Sequence, residues 1–203
     1  LVVGAGKASA PMVVAIEEIL GDRITGGLVV VKEGHAEKSS NVEILEAGHP
    51  EPDLRGEIGA RRVLDLTTGT KPDTLIIALF SGGGSALLPI YPDGIDLKDM
   101  QSLTNLLLRS GAPINDVNTV RKHLSSIQGG RLAQATDGAQ MVSLLLSDVV
   151  GNPLDVIASG PTAADTSTFC DAWNILEKYE PKARQTAVIM RDGVDWVPRW
   201  AQV

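Results

Sequence analysis

Continuous apolar runs alternate along the chain with segments whose apolar residues recur every three or four positions. Four of the runs predict β-strands: Leu1–Val3, Leu28–Val31, Leu75–Phe80 and Met141–Leu146. Their continuity is typical of strands that are buried on both faces of a parallel sheet. The segment VEILEA at 42–47 alternates apolar with polar residues instead, which predicts a strand at the edge of the sheet.

The segments between these strands have helical spacing. One helical face is formed by Met12, Val13, Ile16, Ile19 and Leu20, and Gly21 predicts the end of that helix. The same spacing recurs at 100–107, 114–124 and 169–176, and Asp165 or Thr166 is the predicted cap of the last helix. Strands that alternate with helices favour an α/β layered fold with a mostly parallel sheet flanked by helices.

Composition narrows the classes of function. A net charge of −7 over 203 residues excludes sequence-independent nucleic-acid binding, because that binding needs a basic face. No apolar run approaches the roughly 20 residues of a membrane-spanning helix, so no membrane partner is expected. The length fits one large domain, or one domain plus a fragment. Because the chain begins within an apolar run and without Met, we expect upstream residues to be missing.

The cysteine and the histidines carry no recognisable site. The single Cys170 cannot form an internal disulfide, which fits a reducing, cytoplasmic location, and its place near an apolar helix face predicts a buried, inert thiol. His35, His49 and His123 lack the spacing of metal ligands. Each is therefore expected to be hydrogen-bonded within the protein or exposed to solvent.

Ligands of α/β sheets bind beyond the carboxyl ends of the strands, and four loops in such positions are rich in glycine or polar residues. The first is GAGKAS at 4–9, where Gly4 and Gly6 let the backbone approach an anion and Lys7 adds a positive charge. Neither the Walker phosphate loop nor the complete dinucleotide fingerprint matches this segment. The alternative is an ordinary strand–helix turn with Lys7 in solvent.

The second loop, in FSGGGSALL at 80–88, follows a predicted buried strand. Its three consecutive glycines, residues 82–84, free the backbone to form an anion-binding concavity. Ser81 and Ser85 add hydroxyl donors. The alternative is a tight turn without a ligand.

The third loop belongs to NTVRKHLSSIQGGRLA at 118–133. Asn118, Arg121 and Lys122 lie within about one helical turn, and Gly130 and Arg131 lie near the start of a further predicted helix. Arginine at a helix N-terminus forms a good clamp for phosphate or carboxylate. The alternative is a solvated basic face.

The fourth loop lies in SDVVGNPLDVIASGPT at 147–162. Asp148 comes directly after a predicted strand and Ser147. A carboxylate in this position suits Mg²⁺, which takes one or two carboxylates together with substrate phosphates. Asp155 is a second candidate ligand, or a local cap.

Five segments together resemble the glycerate kinase family of the type that carries a C-terminal MOFRL domain: GAGKASAPM, GHPEPD at 48–53, SGGGSALL, NTVRKHLSSIQGGRLA and SDVVGNPLDVIASGPT. They occur in the family's order within residues 1–180. The resemblance implies that residues 1–180 are part of a Rossmann-like large domain, that the MOFRL domain is absent from this chain, and that 181–203 is a divergent tail. Without the upstream helices, part of the sheet would be uncovered, which favours homo-oligomers.

The resemblance implies an ATP- and Mg²⁺-dependent kinase that phosphorylates D-glycerate, typically to 2-phosphoglycerate. Lys7 corresponds to the family's proposed catalytic lysine, Arg121 is the second expected catalytic residue, and Asp148 is expected to organise Mg²⁺. The residues expected to bind the cofactor are Gly4, Gly6, Ser81, Gly82, Gly83, Gly84, Ser85, Asn118, Lys122, Gly130 and Arg131. Asn152 departs from the family's usual aspartate, which removes a charge but keeps an oxygen ligand.

Two other functions stay open at this point. Some relatives are labelled hydroxypyruvate reductases, and such an enzyme would use GAGKAS as a loop for NAD(P)H. The chain could also be a non-catalytic fragment with residual ligand binding.

Overall fold

The structure is a computed structural model that describes residues 1–179. Two compact units divide this part of the chain. The first unit consists of Leu1–Pro92 and Ser125–Thr166, and the second contains Asp93–Leu124 and continues from Ser167. The predicted tail at 181–203 lies outside the described residues.

The first unit contains a sheet and its flanking helices. Its elements are β1 (Val2–Ala5), α1 (Ser9–Leu20), β2 (Gly27–Lys32), β3 (Glu43–Ala47), α2 (Leu54–Thr67), β4 (Leu75–Ser81) and α3 (Gly84–Leu87). The first unit also contains α6 (Arg131–Gln134) and β5 (Gln140–Leu146). The second unit contains α4 (Leu97–Arg109), α5 (Ile114–His123) and α7 (Phe169–Tyr179). Short 3₁₀ turns lie at Gly21–Arg23 and Ile157–Ser159.

All five strands are parallel, in the order β3-β2-β1-β4-β5. This confirms the predicted α/β fold, and β3 lies at an edge as its alternating sequence predicts. Helices cover both faces of the central strands. On one face α1 packs through Val13 against a cluster that includes Val29 and Leu79, and on the other α2 packs through Val63 in the cluster that contains Phe80. Among residues 1–179, no helix is both long and apolar enough to cross a bilayer.

The prediction that Met141–Leu146 is buried on both faces is wrong. This segment forms β5 at the second edge of the sheet, and Val142, Leu144 and Leu146 are 48%, 40% and 55% exposed. Apolar residues on successive positions indicate that both faces can be covered, but they do not show what covers them. An exposed apolar face therefore remains on β5.

The second unit consists of amphipathic helices, as their spacing predicts. Within α4, Met100, Leu103 and Leu107 are buried. The prediction that Asp165 or Thr166 caps α7 is wrong, because Thr168 and Asp171 hydrogen-bond each other's backbone N–H at its start. Cys170, predicted to be buried, is exposed because it lies on the outer side of α7.

His123 confirms its predicted role as a hydrogen-bonded structural histidine. Its Nδ1 donates to the carbonyl oxygen of Thr119 at 2.9 Å. Its ring lies edge-on to Phe169, with 4.7 Å between the ring centroids. Both contacts lie within the second unit.

Candidate active site

The loops after β1 and β4 lie side by side at the centre of the sheet. From β1 the chain order runs to β2 and β3 on one side, and β4 and β5 lie on the other. Such a switch point leaves a crevice beyond the carboxyl ends of the strands, where ligands of α/β proteins bind. The backbone N–H of Lys7 donates to the carbonyl oxygen of Gly82 at 2.9 Å, which joins the two loops directly.

Gly4 and Gly6 allow β1 to approach β4 closely. A Cβ on Gly4 would lie 1.9 Å from the carbonyl oxygen of Leu79, and one on Gly6 would lie 2.1 Å from Oγ of Ser81. Both glycines also have positive φ, at 157° and 146°. This geometry gives them a packing role that no larger residue can fill.

The N–H groups of the first loop are already used inside the protein. Gly6 donates to the Val30 carbonyl oxygen, Lys7 to that of Gly82, Ala8 to Oγ of Ser81 and Ser9 to the Gly6 carbonyl oxygen, at 2.9 to 3.2 Å. Ser81 is buried and its hydroxyl is occupied by this contact. What the loop can offer to a ligand is therefore chiefly the side chain of Lys7.

The loop after β4 has the opposite character. Within the described residues, the N–H groups of residues 82–85 donate to no protein acceptor. Gly83 adopts φ +88°, in the left-handed region that glycine occupies without strain. Successive unpaired N–H groups in such a turn form a concavity that binds anions. The unpaired N–H groups, and not only the glycine content, make this loop a candidate phosphate cradle.

Three charged or polar side chains converge on this cradle. A Cβ on Gly82 would lie 2.0 Å from Oδ2 of Asp148, and one on Gly83 would lie 2.7 Å from Nε2 of His49 and 3.2 Å from Cε of Lys7. A Cβ at either position would therefore displace side chains that come from three other loops. Among residues 1–179, none of the three side chains has an ion-pair or hydrogen-bond partner.

His49 differs from its prediction as a hydrogen-bonded or solvent-exposed residue, because its ring is half-buried and has no hydrogen-bond partner in the described chain. Partial burial is the main cause that lowers the pKa of His49, and the positive charge of Lys7 lowers it further. Lys32 and His35 act in the same direction, whereas Asp148 raises it. The imidazole is thus held in its neutral form at neutral pH.

The start of α2 places His49. The carboxylate of Asp53 caps α2 by accepting from the N–H of Gly56 at 3.0 Å, and it also accepts from the backbone of Gly48. Burial raises the pKa of Asp53, but these hydrogen bonds, with Arg55, outweigh it and lower the pKa overall. The segment GHPEPD, singled out only by resemblance, therefore anchors the residue before His49 to a helix terminus.

The loop after β5 supports the far side of the cradle. Ala158 and Ser159 both have φ in the left-handed region, at 51° and 61°, which costs energy for residues other than glycine. Oγ of Ser159 lies 2.7 Å from Oγ of Ser85. The carbonyl oxygen of Ser159 accepts a hydrogen bond from the N–H of Gly129. The sequence did not predict this turn, since a strained backbone leaves no signal in the residue types.

Arg131 faces protein groups in the described structure. Its Nη1 donates to the carbonyl oxygen of Gln128 at 3.0 Å. Burial lowers the pKa of Arg131, and the Asp165 carboxylate partly offsets this effect. The N–H of Gly130 donates to the carbonyl oxygen of Gly160 at 2.7 Å. The predicted ligand contacts of Gly130 and Arg131 stay predictions.

The other predicted residues, Asn118, Arg121 and Lys122, lie on α5 in the second unit. Lys122 is 6% exposed, so it does not belong to a solvated basic face. That Asn118, Arg121 and Lys122 contribute to a common site with the first unit stays a prediction.

The residues at the cradle fit a nucleotide phosphate with Mg²⁺. Unpaired N–H groups and the Lys7 side chain suit phosphate oxygens, and the Asp148 carboxylate suits a hard cation. No cluster of three or more metal-binding side chains occurs within residues 1–179. A single carboxylate is nevertheless sufficient for Mg²⁺, because substrate phosphates and water supply its remaining ligands.

Comparison with known proteins identifies the family. The family model described as "Domain of unknown function (DUF4147)" matches residues 1–191. The chain belongs to the DUF4147 family.

Named relatives of the chain confirm the resemblance to glycerate kinases. The chain is 48% identical over 180 residues to the D-glycerate 2-kinase of Thermotoga maritima, a match that covers 88% of this chain and 43% of that protein. It is 47% identical over 180 residues to a putative hydroxypyruvate reductase of Agrobacterium vitis, covering 88% of this chain and 41% of the relative. The chain thus spans less than half the length of these curated relatives.

The fold agrees with a solved structure. The crystal structure of glycerate kinase from Thermotoga maritima superposes with a TM-score of 0.86 at 45% sequence identity. The match covers 94% of this chain and 47% of that one.

Proposed function

We propose that this DUF4147 protein transfers the γ-phosphoryl group of ATP to D-glycerate, and that the product is 2-phosphoglycerate. The observation that carries the proposal is the cradle of unpaired N–H groups at 82–85, faced by Lys7 and Asp148. The names of the glycerate kinase relatives support the substrate. A cytoplasmic location, inferred from the single cysteine, is part of the same proposal.

In phosphoryl transfer the protein mainly positions the reactants and neutralises charge. The N–H groups of residues 82–85 bind phosphate oxygens, and the ammonium group of Lys7 neutralises charge that develops on the transferred group. Asp148 would hold Mg²⁺, which when bound would supply charge neutralisation to the phosphates. Arg121 is proposed to bind the carboxylate of glycerate through its guanidinium group.

The second candidate is an NAD(P)H-dependent hydroxypyruvate reductase, which the name of the Agrobacterium vitis relative favours. Hydrogen bonding in the first loop counts against it. A dinucleotide fold presents the N–H groups at its first strand–helix turn to the pyrophosphate. In this chain Gly6, Lys7, Ala8 and Ser9 donate those N–H groups within the protein.

One pair of assays separates the two candidates. The full-length protein is incubated with D-glycerate, ATP and Mg²⁺ and the products are resolved by phosphorus NMR, which distinguishes 2- from 3-phosphoglycerate. A second reaction contains hydroxypyruvate and NADH or NADPH, and absorbance reports oxidation of the cofactor. Formation of 2-phosphoglycerate without NAD(P)H oxidation supports the proposal, and the reverse result refutes it.

A further inference from the structure

His49 is the polar side chain at the cradle to which the proposed function assigns no role. Its Nε2 and Cδ2 would lie 2.7 and 2.8 Å from a Cβ on Gly83, and Cε of Lys7 would lie 3.2 Å from the same point. The imidazole and the Lys7 side chain therefore both lie against the turn whose N–H groups are unpaired. A ligand phosphate in this turn would have both side chains as neighbours.

We propose that the imidazole of His49 accepts a hydrogen bond from the hydroxyl group of glycerate that is phosphorylated, and so orients that oxygen toward the phosphate beside Lys7. This inference rests on the proposed function, since it assigns a specificity-determining residue to the same site. It concerns the 2-hydroxyl group, which the proposed product identifies as the reacting group.

In its neutral form the imidazole of His49 can accept a hydrogen bond, which a hydroxyl group can donate and an ionised phosphate oxygen cannot. Burial and the charge of Lys7 lower the pKa of His49, so the ring is neutral and carries one nitrogen that can accept a hydrogen bond. A phosphate oxygen needs donors, and the cradle provides these from its backbone and from Lys7. A hydroxyl group needs an acceptor, and the neutral imidazole can provide one.

The neighbouring residues also favour a ligand over a structural role. Structural histidines in this chain have hydrogen-bond partners, since His123 donates to Thr119 and Nδ1 of His35 lies 3.0 Å from the Lys7 carbonyl oxygen. His49 has none within residues 1–179 although it is half-buried. Asp53, four residues further along, caps α2, so the segment that carries His49 is tied to a helix terminus.

The test is a binding cycle on the full-length protein with two variants, His49→Ala and His49→Phe. Phe keeps a planar ring against Gly83 but cannot accept a hydrogen bond. Calorimetry measures the affinity for D-glycerate and for 3-hydroxypropionate, which lacks the 2-hydroxyl group, in the presence of Mg²⁺ and a non-hydrolysable ATP analogue. One neutral hydrogen bond changes affinity by about 3- to 10-fold.

We expect both variants to bind glycerate about 3- to 10-fold more weakly than the wild type and to bind 3-hydroxypropionate unchanged. We also expect kcat to fall about 100-fold, because the nucleophile is no longer oriented. The matched control is Glu51→Gln in the same segment, whose exposed side chain has no partner within the described residues.

Several results would overturn the inference. Equal weakening of glycerate and 3-hydroxypropionate, or full activity in His49→Phe, would assign His49 a packing role while the proposed function stands. A wild-type protein that neither binds nor phosphorylates glycerate would refute the proposed function and this inference with it. The two failures are therefore distinguishable from the wild-type measurements.

Discussion

Replacement of Gly83 by alanine tests whether the turn after β4 is the centre of the site. The new methyl group would lie 2.7 Å from Nε2 of His49, closer than unbonded atoms approach, and 3.2 Å from Cε of Lys7, which is a tight contact. Both neighbours are ends of side chains, so they can move aside and the protein should still fold. Gly111→Ala is the matched control, because Gly111 has φ +80° against +88° for Gly83 and open space around its Cβ position.

The two substitutions share one energetic cost and differ in the other. A non-glycine residue in the left-handed region costs about 1–2 kcal/mol, so both variants should lose this much stability. In a protein of this size that corresponds to a decrease in Tm of about 2–8 °C. Only Gly83→Ala also displaces His49 and Lys7, and a misplaced catalytic group costs about 100-fold in rate.

The assay combines thermal unfolding of each variant with kinetics of glycerate phosphorylation. Gly83→Ala should show the same decrease in Tm as Gly111→Ala within about 3 °C, and a kcat about 100-fold lower. Equal kcat values in the two variants would refute the reasoning, because the side chains over Gly83 would then have no part in catalysis.

Three further changes test separate parts of the account. Lys7→Ala should lower kcat about 100- to 1,000-fold and raise KM less, since its charge acts mainly in the transition state; steady-state kinetics that show only a raised KM would reduce Lys7 to a binding residue. Burial raises the pKa of Glu17, but hydrogen bonds from the backbone of Ser40 and its neighbours outweigh it and lower the pKa overall. Glu17→Gln should therefore lose about 1 kcal/mol of stability above about pH 5, a difference that shrinks as the pH falls below about 4 and that urea unfolding at several pH values measures; a constant difference at all pH values would contradict it. Residues 1–203 should self-associate through the apolar face of β5, and Val142→Thr with Leu144→Thr should shift sedimentation toward monomer; unchanged sedimentation would place the contact elsewhere.

The sequence predicts both the position and the burial of a strand well where the strand lies at the centre of the sheet. The apolar runs that became β1, β2 and β4 are buried because helices cover both faces, and the alternation at 42–47 marks β3 as an edge. The run that became β5 is equally apolar, yet one of its faces is exposed. An apolar sequence shows that a strand can be buried on both faces. Whether a helix covers each face depends on the tertiary structure.

The candidate site is only partly readable from the sequence. Lys7 and the glycines at 82–84 stand out because charge and backbone freedom appear in the residue types themselves. The packing role of Gly4 depends on the Leu79 carbonyl oxygen, which lies 75 positions away along the chain (79 − 4). His49 is equally hidden, because its approach to Gly83 is a contact between loops that no spacing rule records.

The most direct test of the central claim is an NMR titration of the isotope-labelled protein with Mg²⁺ and ATP. Phosphate is proposed to bind the loop after β4, so the backbone amide resonances of residues 82–85 should show the largest shifts. The amides of Gly6, Lys7 and Ala8 should shift little, because they already donate to acceptors within the protein. Large shifts at residues 6–8 with unchanged resonances at 82–85 would contradict the account and return the phosphate to the first loop.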